Sequence, residues 1–255
     1  MALHVERMGQ GPDLVLLHGW GMHGGVWRGV CEELSASFSL HLIDLPGMGH
    51  SAPCEPYMLE TLAQQLAANV PASATVCGWS FGGQVAMRLA LDFPDLVSRL
   101  ILVGSTPCFV NQSDWQNGIA AQVFNDFAAQ VAADYHPSMG RFLGLQAFGG
   151  ESSRTQMREL REQFSSRPAP APQVLQQALN ILLQTDLREA FSSLNLPVQI
   201  IHGNRDTLAP VATAYWMSEH LPQAQLNVIS GASHAPFLSH PTAFVEAISG
   251  FLHAR

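Results

Sequence analysis

The sequence predicts an α/β fold: a mostly parallel central sheet flanked by helices, with an inserted all-helical cap. Three observations point there. Short apolar runs alternate with helical patterns over residues 1–110. The same alternation returns over residues 187–255. Residues 111–186 between them carry helical periodicity and no convincing strand. The first and last stretches are expected to form one core, and residues 111–186 the cap.

In chain order, the apolar runs at 14–17, 40–43, 75–79 and 100–103 are expected to be buried strands, because they are short, continuous and bounded by turn residues. Helical patterns fall between them at 26–34, 59–69 and 82–92. Late in the chain, strands are expected at 198–201 and 226–229, and helices at 211–220 and 241–252. Within the cap, amphipathic patterns cover 115–133, 152–164 and 174–183. The segment Arg167-Pro-Ala-Pro-Ala-Pro172 must run extended, since three prolines block a helix.

Composition narrows the function classes. The chain has 255 residues, of which 47% are apolar and only 13% charged. An average soluble domain has roughly 25% charged residues, so this is a compact chain with a large core. The net charge of −8 disfavours nucleic acid as a partner. All twelve basic residues are arginine, which rules out a lysine nucleophile, a Schiff base and a lysine phosphate loop. The four cysteines, at 31, 54, 77 and 108, form no C-x-x-C pair and read as buried filler, with no metal site. No leader-like segment and no long apolar span are evident, so the expectation is a soluble cytoplasmic monomer away from membranes.

The chemistry is carried by Gly78-Trp79-Ser80-Phe81-Gly82-Gly83. A G-x-S-x-G segment after an apolar strand and before a helix is a nucleophile elbow. The turn lifts the serine oxygen clear of the backbone, and larger side chains two residues to either side would clash. A serine hydroxyl needs a base, and the base needs an orienting acid. The candidate base is His234, in the loop after the last strand. The candidate acid is Asp206, in a turn that follows a strand and precedes a helix. Locally, Asp206 could equally be a helix cap. The order Ser, Asp, His favours catalysis. Asp44, which precedes the serine, reads as loop-stabilising; His240 as a helix-entry residue; His202 as structural.

Acyl transfer also needs donors aimed at the developing oxyanion, worth about 3–4 kcal/mol each. The backbone N–H groups of Phe81 and of Trp20, in His18-Gly-Trp-Gly21, are the candidates, with His18 holding the loop. Trp20, Trp79 and Phe142 read as walls of an apolar acyl channel; Phe109 and Phe148 read equally well as core. Arginines gather in the cap at 141, 154, 158, 161 and 167. On a helix, 154, 158 and 161 share one face, either salt-bridged to nearby glutamates or open to an acidic partner.

These segments resemble the α/β-hydrolase superfamily. More closely, Leu16-Leu-His-Gly-Trp-Gly21, Leu40-His-Leu-Ile-Asp-Leu-Pro-Gly47, Ser105-Thr-Pro-Cys-Phe109, Arg141-Phe-Leu-Gly-Leu-Gln146 and Ala232-Ser-His-Ala-Pro-Phe-Leu-Ser-His-Pro241 resemble the pimeloyl-acyl-carrier-protein methyl ester carboxylesterases of biotin synthesis. The resemblance spans nearly the whole chain. It implies a serine carboxylesterase without cofactor, which releases methanol from an ester borne by acyl carrier protein. It implies substrate contacts at Trp20, Ser80, Phe81, Phe142, Leu143, Gly144, Leu145, Gln146 and His234, and carrier docking at Arg141, Arg154 and Arg158. Where the family can carry a further arginine before Arg141, this chain reads Tyr135-His-Pro-Ser-Met139. The motifs alone leave two rivals: a broad short-chain esterase or C–C bond hydrolase on the same scaffold, and a ligand receptor with a slow triad.

Overall fold

The computed structural model describes residues 3–146, 158, 162 and 165–253, with residues 144–146 described in backbone only. Seven strands form one sheet in the order β1-β3-β2-β4-β5-β6-β7. The strands are β1 Val5–Met8, β2 Asp13–Leu17, β3 Ser39–Ile43, β4 Ala74–Trp79, β5 Val97–Val103, β6 Val198–Gly203 and β7 Ala224–Ile229. All neighbours pair in parallel except β1, which runs antiparallel to β3. All six residues of β4 and all six of β6 are buried, as the continuous apolar runs require of strands covered on both faces.

The core helices are α1 Arg28–Ser35, α2 Leu59–Ala67, α3 Phe81–Asp92, α8 Val211–Glu219, α9 Pro236–Ser239 and α10 Pro241–His253. Between β5 and β6 lie α4 Ala121–Ala133, α5 Tyr135–Gln146, α6 Pro172–Gln184 and the short α7 Arg188–Phe191. The expected strands and core helices are present within a few residues of their expected bounds.

Three differences have physical reasons. No sequence pattern marks β1, because Val-Glu-Arg-Met is a short edge strand with no buried face of its own. Nor does one mark α5, where Pro137, Gly140 and Gly144 dilute the periodicity; the proline sits in the first turn, where it is tolerated. The expected helix from 115 starts only at Ala121. Trp115 instead makes a β-bridge with Gln112, donates its indole N–H to Cys108 O (2.9 Å) and stacks edge-on against Trp216. The expected helix at 152–164 lies largely outside the described residues; within it, positions 158 and 162 are helical.

The chain reverses its direction of winding between β2 and β4, which are neighbours although β3 intervenes in sequence. In open parallel sheets the crevice beyond the carboxyl ends at such a point is where ligands sit. The His18–Gly21 loop leaves β2 there and Ser80 leaves β4.

Candidate active site

Ser80 stands between β4 and α3 with φ 55° and ψ −118°, a conformation that costs a non-glycine residue of order 1–3 kcal/mol. Its surroundings enforce it. A Cβ on Gly78 would lie 2.3 Å from Gly82 O, and one on Gly82 would lie 2.5 Å from His18 O. Only glycine lets the strand, the helix and the β2 loop approach this closely. Ser105 Oγ donates to Ser80 O at 2.8 Å and pins the turn from β5.

The three residues named as a triad meet. His234 Nδ1–H donates to Asp206 Oδ2 at 2.8 Å, which leaves Nε2 as the acceptor for the Ser80 hydroxyl at 2.9 Å. Both partners of Ser80 are buried, and Ser80 itself is 9% exposed. Asp206 Oδ1 accepts the N–H groups of Leu208 and Ala209, each at 2.9 Å. Burial pushes the Asp206 carboxyl up. The His234 imidazole, its hydrogen bond, His202 and the Ala209 N–H together outweigh that and hold Asp206 below the ordinary range. Trp79 Nε1–H donates to His234 O at 2.8 Å, so the histidine loop is fixed through its backbone as well.

The loop that carries Trp20 borders the serine: a Cβ on Gly19 would lie 3.4 Å from Ser80 Cβ. Phe81 opens α3, so its N–H has no acceptor within the helix, and it lies at the positive end of the helix dipole. Trp20 lies in a turn held by His18. His18 Nε2 accepts from Leu45 N at 2.9 Å, so the proton sits on Nδ1 and is donated to Gly19 O at 2.8 Å. Burial lowers the His18 pKa to about 4, so the ring is neutral and both bonds persist at neutral pH. The Trp20 indole N–H donates to Leu175 O on α6 (3.0 Å), and Tyr135 on α5 donates to Gly21 O (2.6 Å).

A narrow cleft opens onto Ser80 and His234. Trp20, Trp79 and Phe142 line it, as the sequence suggests, and so does Phe109. Val123, Phe124, Phe127, Leu179, Leu182 and Leu208 were not foreseen; their helical spacing reads as ordinary core. Leu143 is fully buried and is not among the lining residues, and neither is the Phe81 side chain. The side chains of Gly144, Leu145 and Gln146 lie outside the described residues, as do Phe148, Arg154 and Arg161. Arg141 and Arg158 are exposed on helical segments. Arg167 behaves differently: it turns inward to Asp44 and Glu6. Asp44 accepts from the Gly24 and His50 N–H groups, as a loop-stabilising residue should. His202 is buried and donates to Ala209 O at 2.6 Å, and the His240 carbonyl begins α10.

Among the described residues no cluster of His, Cys, Asp and Glu could hold a metal ion, and no helix is long and apolar enough to cross a membrane. A hydroxyl activated by an oriented imidazole, at the opening of an apolar cleft, can perform acyl transfer to water.

Known proteins share the fold and much of the sequence. Residues 12–241 match the alpha/beta hydrolase fold family. The chain is 45% identical to the pimeloyl-acyl-carrier-protein methyl ester esterase of Nitrosomonas europaea, over 96% of this chain and 97% of that one. It is 44% identical to the protein of the same name from Aeromonas salmonicida, over 99% and 100%. Among solved structures, an esterase from Exiguobacterium antarcticum superposes with a TM-score of 0.88 at 23% identity, covering 99% of this chain and 96% of that one, a likeness of fold.

Proposed function

The chain belongs to the α/β-hydrolase family and, within it, to the pimeloyl-acyl-carrier-protein methyl ester esterases, and we propose that it hydrolyses the methyl ester of pimeloyl-acyl carrier protein in biotin synthesis. The observation that carries the chemistry is the unbroken line from Asp206 through His234 to Ser80, at 2.8 and 2.9 Å.

In this reading Ser80 Oγ attacks the ester carbonyl while His234 Nε2 takes its proton. The carbonyl oxygen becomes an oxyanion held by the N–H groups of Trp20 and Phe81. His234, now an imidazolium steadied by Asp206, returns the proton to the departing methoxide, and methanol leaves. Water then enters, loses a proton to His234 and cleaves the acyl-serine, so that the free carboxylate and the serine hydroxyl are restored. No cofactor takes part. The apolar walls, which include Phe109, Phe127, Phe142, Leu179 and Leu182, suit the methylene chain between the reacting ester and the carrier.

Residues 111–186 act as the cap that closes over this chain. Arg141, Arg154 and Arg158 meet the acidic carrier, and the monomeric enzyme works in the cytoplasm. The test compares methyl pimeloyl-carrier protein with the same methyl ester free in solution. A higher kcat/KM for the carrier-bound ester supports the reading; equal values make the protein a general short-chain esterase.

A further inference from the structure

Arg167 lies in the extended connector before α6, yet its side chain is only 5% exposed. One end of its guanidinium meets Asp44 Oδ1 at 2.5 Å; the other meets Glu6 on β1. Glu6 also pairs with Arg28, so two carboxylates face two guanidinium groups. Asp44 is fully buried at the end of β3.

What Asp44 holds connects this cluster to the active site. Its Oδ1 accepts from Gly24 N at 2.7 Å and its Oδ2 from His50 N at 2.9 Å. Its carbonyl accepts from Ser51 Oγ at 2.6 Å. The next residue, Leu45, donates to His18 Nε2, and His18 donates to Gly19 O, where the Trp20 turn begins. Residues 18–24 are therefore tied to residues 44–45 at both ends of the loop. The loop around Asp44 has closed on its carboxylate: a Cβ on Gly49, where φ is +56°, would lie 2.2 Å from Asp44 Oδ2. A buried carboxylate held by neutral N–H groups alone is poorly compensated, and Arg167 supplies the opposite charge.

We infer that Arg167 is a positioning residue for the reaction: by holding the buried Asp44 carboxylate it fixes the loop that carries the Trp20 N–H, so that the connector of the helical insert and one half of the oxyanion site are set together. The inference rests on the assignment of the Trp20 N–H as an oxyanion donor. It gives Arg167 a role in the rate of the chemical step, apart from carrier binding.

The experiment uses p-nitrophenyl butyrate as a small free ester, which needs no carrier docking. Inhibition by butylboronic acid is measured in parallel, because its tetrahedral serine adduct places an oxygen in the oxyanion site. Losing one oxyanion donor outright costs about 10²–10³-fold, so a loosened donor in Arg167→Met should lower kcat by about 10- to 100-fold. KM should stay within about threefold, since ground-state binding is not the interaction removed. Boronate affinity should fall by a factor similar to kcat. Arg167→Lys, which keeps the charge on Asp44, should recover part of the loss. The double variant Arg167→Met with Asp44→Asn should be no worse than the poorer single variant, because both break one relay.

Folded Arg167→Met with unchanged kcat and boronate affinity would overturn the inference, as would a loss confined to KM or additive effects in the double variant. If Arg167→Met does not fold, Arg167→Lys and Glu6→Gln carry the test. Glu6→Gln releases only the far end of the guanidinium, so its kcat should stay within about threefold of the parent while Arg167→Lys falls further. Labelling of the parent enzyme by a serine-directed phosphonate keeps the two levels apart. An adduct absent from Ser80 defeats the catalytic assignment itself, whereas an adduct on Ser80 with indifferent Arg167 variants defeats only the relay.

Discussion

Replacing Asp206 with asparagine should disable the enzyme through a single proton on the wrong nitrogen. Asp206 Oδ1 accepts two backbone N–H groups, from Leu208 and Ala209, so in the variant the amide oxygen must occupy that position. The amide nitrogen then takes the place of Oδ2, 2.8 Å from His234 Nδ1. An NH₂ group can only donate, so Nδ1 must become the acceptor and the imidazole proton moves to Nε2. That nitrogen faces Ser80 Oγ, and a protonated Nε2 cannot take the serine proton. The corresponding change in a protease triad costs about 10⁴-fold in kcat, or about 5 kcal/mol of barrier. The fold should survive, because the backbone bonds to the side chain are kept.

Asp44→Asn provides the contrast. It removes the charge opposite Arg167 in a buried pair, so it should cost about 3–5 kcal/mol of stability, with a far smaller kinetic loss. Steady-state hydrolysis of p-nitrophenyl butyrate and thermal unfolding of both variants separate the two residues. Comparable kcat losses in two folded proteins would refute the tautomer argument, as would an Asp206→Asn enzyme that keeps a tenth of its activity.

Ser80→Ala should lose about 10⁴-fold or more in activity with unchanged unfolding temperature, and mass spectrometry of the parent enzyme should find one phosphonate adduct, on Ser80. Gly82→Ala should fold poorly or lose most of its kcat, because its methyl group would meet His18 O at 2.5 Å and push α3 from the oxyanion loop; a crystal structure with α3 unmoved and normal activity would count against this. His18, held neutral at a pKa of about 4 while the unfolded chain has about 6.5, binds its proton first in the unfolded state. Stability should therefore fall as pH drops from about 6.5 toward 4, by about 3 kcal/mol, with buried His202 acting in the same direction, and denaturant titrations across that range measure it. Arg154→Glu with Arg158→Glu should raise KM for the carrier-bound ester and leave kcat/KM for a free ester nearly unchanged.

The hydrogen-bonded line from Asp206 through His234 to Ser80 was legible because each member sits at a strand end marked by its own short pattern. Ser80 has its glycines, Asp206 its turn after β6, and His234 its loop after β7. The chain order then excluded Asp44. The cleft was not legible in the same way. Phe124, Phe127, Leu179 and Leu182 lie on apolar helix faces that would look identical if they packed on the sheet. Only the placement of α4 and α6 over Ser80 turns these faces into a binding wall. Trp79 was read as channel lining; it lines the cleft, but its N–H also clamps the His234 loop, a second role that no sequence pattern announces.

The arginines show most clearly where composition stops and structure begins. In sequence, Arg141, Arg154, Arg158, Arg161 and Arg167 gather within the cap, and 154, 158 and 161 read either as a salt-bridged face or as a surface for an acidic partner. The structure divides it. Arg167 spends its charge internally, on Asp44 and Glu6, and a carrier protein cannot reach it. Arg158 is paired with Glu162 at 3.6 Å, with both side chains about two-thirds exposed. Such an i,i+4 pair is worth only about 0.3–0.5 kcal/mol, too little to withhold the guanidinium from a phosphate or carboxylate. Arg141 is exposed and donates to a neutral hydroxyl, that of Ser138. The difference lies in desolvation. A buried arginine is committed to the carboxylates that compensate it, while an exposed one exchanges a weak partner for a stronger one at little cost. Docking should therefore depend on Arg141 and Arg158 and weaken with salt, whereas the Arg167 contact, shielded from solvent, should persist.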